Sequence, residues 1–170
     1  MTVHALADLL STAINPALVL LVLEEPLLGH QGRQEPWPRF WGRSALSIGA
    51  AVGLAEAGKH YQIWPGHPLF PSGHMTFATA AASCLMLRRG LPWLGIALPL
   101  IGIMGISLVV GGWHTGTEVF GGLALGGFIT LVCFGLLRQA RRPGWPGEPP
   151  AGPDLMPQGK FGTGPGTKPG

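Results

Sequence analysis

The stretch from Leu91 to Gly112 constrains the fold most, because these 22 consecutive residues carry no charged side chain. A helix of about 20 apolar residues is long enough to cross the hydrocarbon core of a bilayer. The rest of the chain fits this, since only 11% of its 170 residues are charged and its mean hydropathy is +0.34. A soluble domain typically has about 25% charged residues. The sequence therefore predicts a membrane protein.

Four further apolar runs accompany this one and predict an all-α fold, a polytopic transmembrane bundle of about five spans. The five runs are Ala5 to Leu23, Ser44 to Gly58, Ser72 to Leu87, Leu91 to Gly112 and Glu118 to Leu137. The second run is rich in small residues, which favour close packing of helices in lipid. The polar stretch 24–43 contains prolines, Trp37 and Trp41, and we interpret it as a loop with interfacial aromatic anchors.

The basic residues predict an orientation. With five spans, ten of the 11 Lys and Arg residues lie on one side and Lys59 alone lies on the other. Basic loops face the cytoplasm, so we expect the N-terminus outside and the C-terminal tail inside. We divide the chain into a transmembrane domain, 1–138, and a disordered Pro/Gly-rich tail, 139–170.

Several alternatives are disfavoured by the placement of residues. The Lys and Arg residues form no stripe of the kind that binds nucleic acid. Cys84 and Cys133 lie within apolar runs, as packing cysteines do more often than disulfide or metal-binding ones. The first run has no basic segment before it, so we do not expect a cleavable signal peptide.

The start of the third run predicts an anion site. Pro71 and Ser72 favour a helix start there, and the free N–H groups of a helix start attract negative charge. His74 falls in the first turn of this helix. Lys59 belongs to the preceding helix on the same predicted side of the membrane. The alternative is an interfacial lysine whose side chain extends to the membrane surface.

A second histidine, His114, lies at the mouth of another predicted helix on that side. One neutral imidazole that attacks phosphorus and one protonated imidazole that supplies a proton suit phosphoryl transfer. Glu118, four residues after His114, lies on the same helical face and could orient the ring. It could also be a carboxylate that stabilises the helix start, and the histidines could be hydrated interfacial residues.

The segments Pro71-Ser72-Gly73-His74 and His114-x-x-x-Glu118 together resemble the motifs of the type 2 phosphatidic acid phosphatase / vanadium haloperoxidase superfamily, in its membrane lipid phosphatase branch. The resemblance covers about residues 45–137. It implies hydrolysis of a lipid phosphate, of the phosphatidic acid or polyprenyl phosphate type, without a metal or another cofactor. It also implies a site on the outer face of a bacterial plasma membrane, with membrane lipids as surroundings.

The resemblance assigns roles to individual residues. His114 would be the nucleophile that becomes phosphohistidine, His74 the general acid and Glu118 the group that orients His114. Phosphate would be bound by Lys59, Ser72 and Gly73.

The chain departs from the family pattern at three positions. Gly66 and Leu108 stand where the pattern has arginines, and Glu118 stands where it has aspartate. We hypothesise that protonated His67 supplies part of the missing positive charge to the phosphate. The alternative function is a catalytically impaired member that binds a lipid phosphate or a partner membrane protein. A haem or metal protein fits less well, because these histidines lie at helix mouths. The sequence does not indicate an oligomeric state.

Overall fold

A computed structural model describes residues 2–25 and 36–139, with the side chains of residues 138 and 139 excepted. Within these residues the protein is helical and contains no strand, which confirms the predicted all-α class. The helices are α1 (Val3–Glu24), α2 (Trp37–His60), α3 (Gly73–Arg89), α4 (Leu94–Val110) and α5 (Gly116–Gln139), and a 3-10 turn, Leu91–Trp93, precedes α4.

Helix α3 forms the centre of the bundle and contacts each of the other four helices. Alanines at 78, 80, 81 and 82 are all buried, and their small side chains let neighbouring backbones approach closely. The larger core side chains around them include Phe40, Leu18 and Met104. The middle of α3 is thereby packed closely against the other helices.

The interpretation of residues 37–43 as a loop is wrong. Helix α2 already begins at Trp37, after Pro36, and runs for 24 residues. Proline without an N–H is favourable in the first turn of a helix, so the prolines that suggested a loop instead open this helix. Trp41 lies within it and its indole N–H donates to the Val22 carbonyl, 3.3 Å away.

Three segments are long and apolar enough to cross a membrane, namely Val3–Glu24, Leu91–Val110 and Gly116–Leu137. Large apolar side chains on their outer faces are exposed, for example Leu98, Ile106, Phe120 and Phe128. Such faces are favourable in lipid and unfavourable in water. These faces indicate an integral membrane protein. The number of five spans and the orientation in the membrane stay predictions.

Arginines and the functional motifs lie at opposite ends of the bundle. At the arginine end, buried Glu25, the C-cap of α1, pairs with Arg89 and lies 3.7 Å from Arg88, at the end of α3. Arg43 of α2 donates to the Phe134 carbonyl of α5, 2.7 Å away. The start of α3, with its Pro-Ser-Gly-His motif, is therefore at the other end, as the predicted alternation of loops requires.

The predicted tail, 139–170, lies outside the described residues except for Gln139, the last residue of α5. The division into 1–138 and 139–170 therefore stays a prediction. Cys84 and Cys133 are both free thiols, and Cys84 is buried in the core.

Candidate active site

Helix α3 begins where its sequence predicts. Ser72 is the N-cap and its hydroxyl oxygen accepts from the Met75 N–H at 3.4 Å. The Thr76 hydroxyl donates to the Ser72 carbonyl at 2.8 Å. Ser72 is fully buried, whereas His74 is solvent-accessible and lines a cleft. The local sequence thus produces a rigid helix start that presents His74 to the cleft.

A tight turn after α4 positions His114. Gly112 has φ +76°, in the left-handed region that glycine adopts without a steric penalty. The N–H groups of Trp113 and His114 both donate to the Leu108 carbonyl, at 3.2 and 3.3 Å. The His114 side chain is held close to the bundle and is only 10% exposed.

Glu118 holds His114 and caps α5 with the same carboxylate. Its Oε2 lies 3.2 Å from His114 Nδ1 and accepts from the Thr115 N–H at 2.9 Å. The Glu118 N–H in turn donates to the Thr115 hydroxyl at 3.4 Å, which completes a capping box. An ionised carboxylate only accepts hydrogen bonds, so Nδ1 carries the proton, and in the neutral ring Nε2 of His114 has a lone pair.

The two histidines face each other across the helix starts. Their ring centroids are 6.5 Å apart with an interplanar angle of 57°. A hydrogen bond from the Ser72 N–H to the Glu118 carbonyl, 2.9 Å long, ties the start of α3 directly to the first turn of α5. The fold therefore brings His74, His114 and Glu118 together, while their catalytic roles stay predictions.

Lys59 and Glu56 lie beside this group, on the last turns of α2. Lys59 Nζ donates to Glu56 Oε1 at 2.7 Å, as their spacing of three on one helix face allows. A Cβ built on Gly73 would lie 3.2 Å from Lys59 Nζ and 2.7 Å from Glu56 Oε1. Both charged groups thus lie against the first residue of α3.

These residues line one cleft of about 870 Å³ between α1, α2 and α3. Its walls are mostly apolar and its polar side chains gather at one end. The lining residues are Asn15, Pro16, Val19, Leu20, Val52, Glu56, Lys59, Leu69, Gly73, His74, Phe77 and His114. A ligand with an apolar chain and a polar headgroup would fit this cleft, with the chain along the apolar walls and the headgroup at the polar end.

The two positions at which the family pattern has arginines are a core residue and a turn glycine. Leu108 is 2% exposed and belongs to the core, so a guanidinium there would be buried. Gly66 has φ +83°, which is unfavourable for any side chain. His67 is exposed and does not line the cleft. The hypothesis that His67 binds phosphate has no contact in its favour and stays a prediction.

His74 lies outside the three segments that could span a membrane. Partial burial in the cleft lowers its pKa below the ordinary value of 6.5, and the nearby charges of His114 and Lys59 lower it further, while Glu56 opposes them. His74 therefore holds its proton less readily than a free imidazole does.

Two residues of this site had no role in the sequence-based prediction. Thr115 had a usable signal, because Thr115-Gly-Thr-Glu118 has the Ser/Thr-x-x-Glu pattern of a capping box. Asn15 had none. Its side-chain N–H reaches the His74 carbonyl, 3.5 Å away, only through the packing of α1 on α3. Among the described residues no three His, Cys, Asp or Glu side chains cluster in a way that could hold a metal ion.

Comparison with known proteins agrees with this geometry. The family model of the PAP2 superfamily matches residues 27–142, and the chain belongs to that superfamily. A lipid A 1-phosphatase of Porphyromonas gingivalis is 30% identical over 106 residues, which are 58% of this chain and 24% of the relative. The chain thus aligns with about a quarter of that relative's length. No solved structure matches.

Proposed function

We propose that this protein is a membrane phosphatase that hydrolyses a lipid phosphate through a phosphohistidine on His114. The observation that carries the proposal is the pair of imidazoles 6.5 Å apart, one of them bonded through Nδ1 to Glu118. Family membership supports the same chemistry.

In the first step, Nε2 of His114 attacks phosphorus while the bond from phosphorus to the lipid oxygen breaks. Protonated His74 gives its proton to that oxygen, so the lipid leaves as an alcohol, or as a phosphate if the substrate is a diphosphate. Glu118 accepts the Nδ1 hydrogen bond and stabilises the positive charge that develops on the His114 ring.

In the second step, water attacks the phosphohistidine and neutral His74 takes a proton from that water. The N–P bond breaks, inorganic phosphate leaves and His114 is regenerated. Lys59 and the N–H groups of Gly73 and His74, at the start of α3, neutralise the phosphate oxygens in both steps. The Ser72 N–H does not take part, because it donates to the Glu118 carbonyl.

The apolar cleft walls support a lipid as the substrate. Val19, Leu20 and Phe77 continue from the histidines along the cleft, so a hydrocarbon chain fits there while the phosphate meets His114. Phosphatidic acid and polyprenyl phosphates are candidates. The relative named as a lipid A 1-phosphatase adds glycolipid phosphates to them.

We place the site on the outer face of the membrane, which would be the periplasmic face in a bacterial inner membrane. The arginines at 43, 88 and 89 lie at the other end of the bundle from the histidines. Basic residues favour the cytoplasmic side.

The test is phosphate release by the full-length protein reconstituted in vesicles with phosphatidic acid, a polyprenyl phosphate or lipid A. His114→Ala removes the attacking nitrogen and reduces release to the uncatalysed background. His4→Ala, an exposed histidine of α1, is the matched control and keeps the wild-type rate. Release that survives in His114→Ala contradicts the proposal.

A non-catalytic member that binds a lipid phosphate is the second candidate. It is favoured by the cleft lining, in which Lys59 is the one lysine or arginine among the described residues and is already paired with Glu56. This candidate predicts that wild-type protein binds lipid phosphates in vesicles but releases no phosphate from them.

A further inference from the structure

Glu56 is an acidic side chain inside a cleft to which we assign a phosphate. Its side chain is 58% exposed, whereas the Lys59 side chain that it binds is only 20% exposed. The carboxylate therefore holds the more accessible position of the pair. The pair with Lys59 stabilises the last turns of α2 only slightly, and Glu56 lines the cleft rather than the core.

The position of the carboxylate is defined by Gly73. Glu56 Oε1 would be 2.7 Å from a Cβ on Gly73, and Gly73 is the first residue of α3. The first N–H groups of a helix have no partner within the helix. The carboxylate thus lies against the two features that bind an anion in this cleft, the start of α3 and the Lys59 ammonium.

We infer that Glu56 is a specificity-determining residue that competes with the substrate phosphate for Lys59 and for the start of α3. The inference rests on the proposed function. A phosphate that contacts Lys59 and Gly73 must displace the carboxylate or lie beside a like charge, and both reduce its affinity. The cleft thereby selects against anions whose remaining contacts are weak, and it relies on the apolar chain for affinity.

The experiment measures binding of inorganic phosphate to the full-length protein in detergent by isothermal titration calorimetry at low ionic strength. Glu56→Gln keeps the size of the side chain and removes its charge. It should lower the Kd for phosphate by about tenfold, the effect of removing one like charge near a bound anion. Glu56→Asp keeps the charge but withdraws it from Gly73, and it should give an intermediate Kd.

Glu24→Gln is the matched control, because Glu24 is an exposed glutamate at the arginine end of α1, and its Kd should equal that of the wild type. Unchanged or weaker binding in Glu56→Gln overturns the inference, since Glu56 would then hold Lys59 in place for the phosphate.

Failure of the proposed function would look different. Tighter phosphate binding by Glu56→Gln in a protein that hydrolyses no lipid phosphate supports the role of Glu56 and contradicts catalysis. Absence of phosphate binding in the wild type and in all variants overturns the role of Glu56, whereas the proposed function is decided separately by phosphate release from the lipid substrates.

Discussion

Glu118 has two functions that the same carboxylate oxygen performs. Oε2 accepts from the Thr115 N–H, which caps α5, and contacts His114 Nδ1, which orients the ring. Glutamate is the usual residue at this third position of a capping box. The departure from the aspartate of the family pattern therefore has a local reason in this chain.

The two functions of Glu118 can be separated by substitution. Glu118→Gln keeps an oxygen that can cap α5, so the Tm should remain close to that of the wild type. It removes the negative charge that stabilises the His114 imidazolium, and kcat should fall by about 100-fold or more.

Glu118→Ala also loses the cap, which should cost about 1 kcal/mol of stability in addition. Thermal unfolding and phosphate release, measured on both variants, check the expectation. A fully active Glu118→Gln protein would mean that the carboxylate serves only as a cap.

The lowered pKa of His74 predicts how kcat/KM depends on pH. The general acid must be protonated, and the pKa of His74 is lowered mainly by burial. A lowered pKa means that the proton is lost at lower pH, so kcat/KM should fall as the pH rises through a value below 6.5.

Removing the charge of Glu56 or of Lys59 should shift the pH at which kcat/KM falls, in opposite directions. Glu56 raises the pKa of His74 and Lys59 lowers it. Glu56→Gln should therefore shift the fall of kcat/KM to lower pH, and Lys59→Met should shift it to higher pH. A pH series of kcat/KM for the three proteins is the measurement. Shifts in the same direction would exclude His74 as the titrating group.

At the scale of the elements, the packing of α5 on α3 sets the distance between the histidines. Gly122 and Gly126 are one helical turn apart on the face of α5 that meets α3. A Cβ on Gly122 would lie 2.6 Å from the Ser72 carbonyl oxygen, and one on Gly126 would lie 2.4 Å from that of Thr76. Any side chain there must move one helix away from the other.

Gly122→Ala should therefore reduce both stability and activity. Overpacking against a backbone carbonyl costs about 1–3 kcal/mol, and separating α5 from α3 displaces His114 from His74. Gly135→Ala is the control, because nothing lies within 4 Å of a Cβ there, and it should be neutral or slightly stabilising. The measurement is the Tm and the kcat of both variants. A Gly122→Ala protein as stable and active as the control would contradict the proposed role of this contact.

At the scale of the whole molecule, the cleft joins three helices whose sequences show no common pattern. Helix α1 contributes Val19 and Leu20, α2 contributes Val52, and α3 contributes Phe77. Helices α1 and α2 make few contacts with each other, and the cleft lies between them and α3. This arrangement can admit a hydrocarbon chain from the surrounding lipid.

Filling the cleft should change the preference for chain length. Val52→Trp narrows the apolar part and should raise KM several-fold for a long-chain phosphatidic acid while it leaves a short-chain analogue unaffected. Leu54→Trp, on the exposed face of the same helix, is the control and should change neither. Equal effects of Val52→Trp on both substrates would contradict binding of the chain in this cleft.

Features that depend on neighbouring residues were predictable before the fold was known. The N-cap at Ser72, the facing of Glu118 toward His114 and the pairing of Glu56 with Lys59 all arise within one helical turn, where spacing determines contact. The apolar runs likewise placed most of the helices. The start of α2 was predicted wrongly because prolines both interrupt helices and begin them.

The tertiary packing of the helices determines which of these local features come into contact, and the sequence alone did not predict it. The 6.5 Å separation of the imidazoles requires α3 and α5 to touch at Gly122, and the contact of Asn15 with the His74 carbonyl joins residues 59 positions apart. The same packing leaves His67 outside the cleft and buries Leu108 in the core. Such contacts depend on the shapes of whole helix faces, and spacing along the chain carries no information about them.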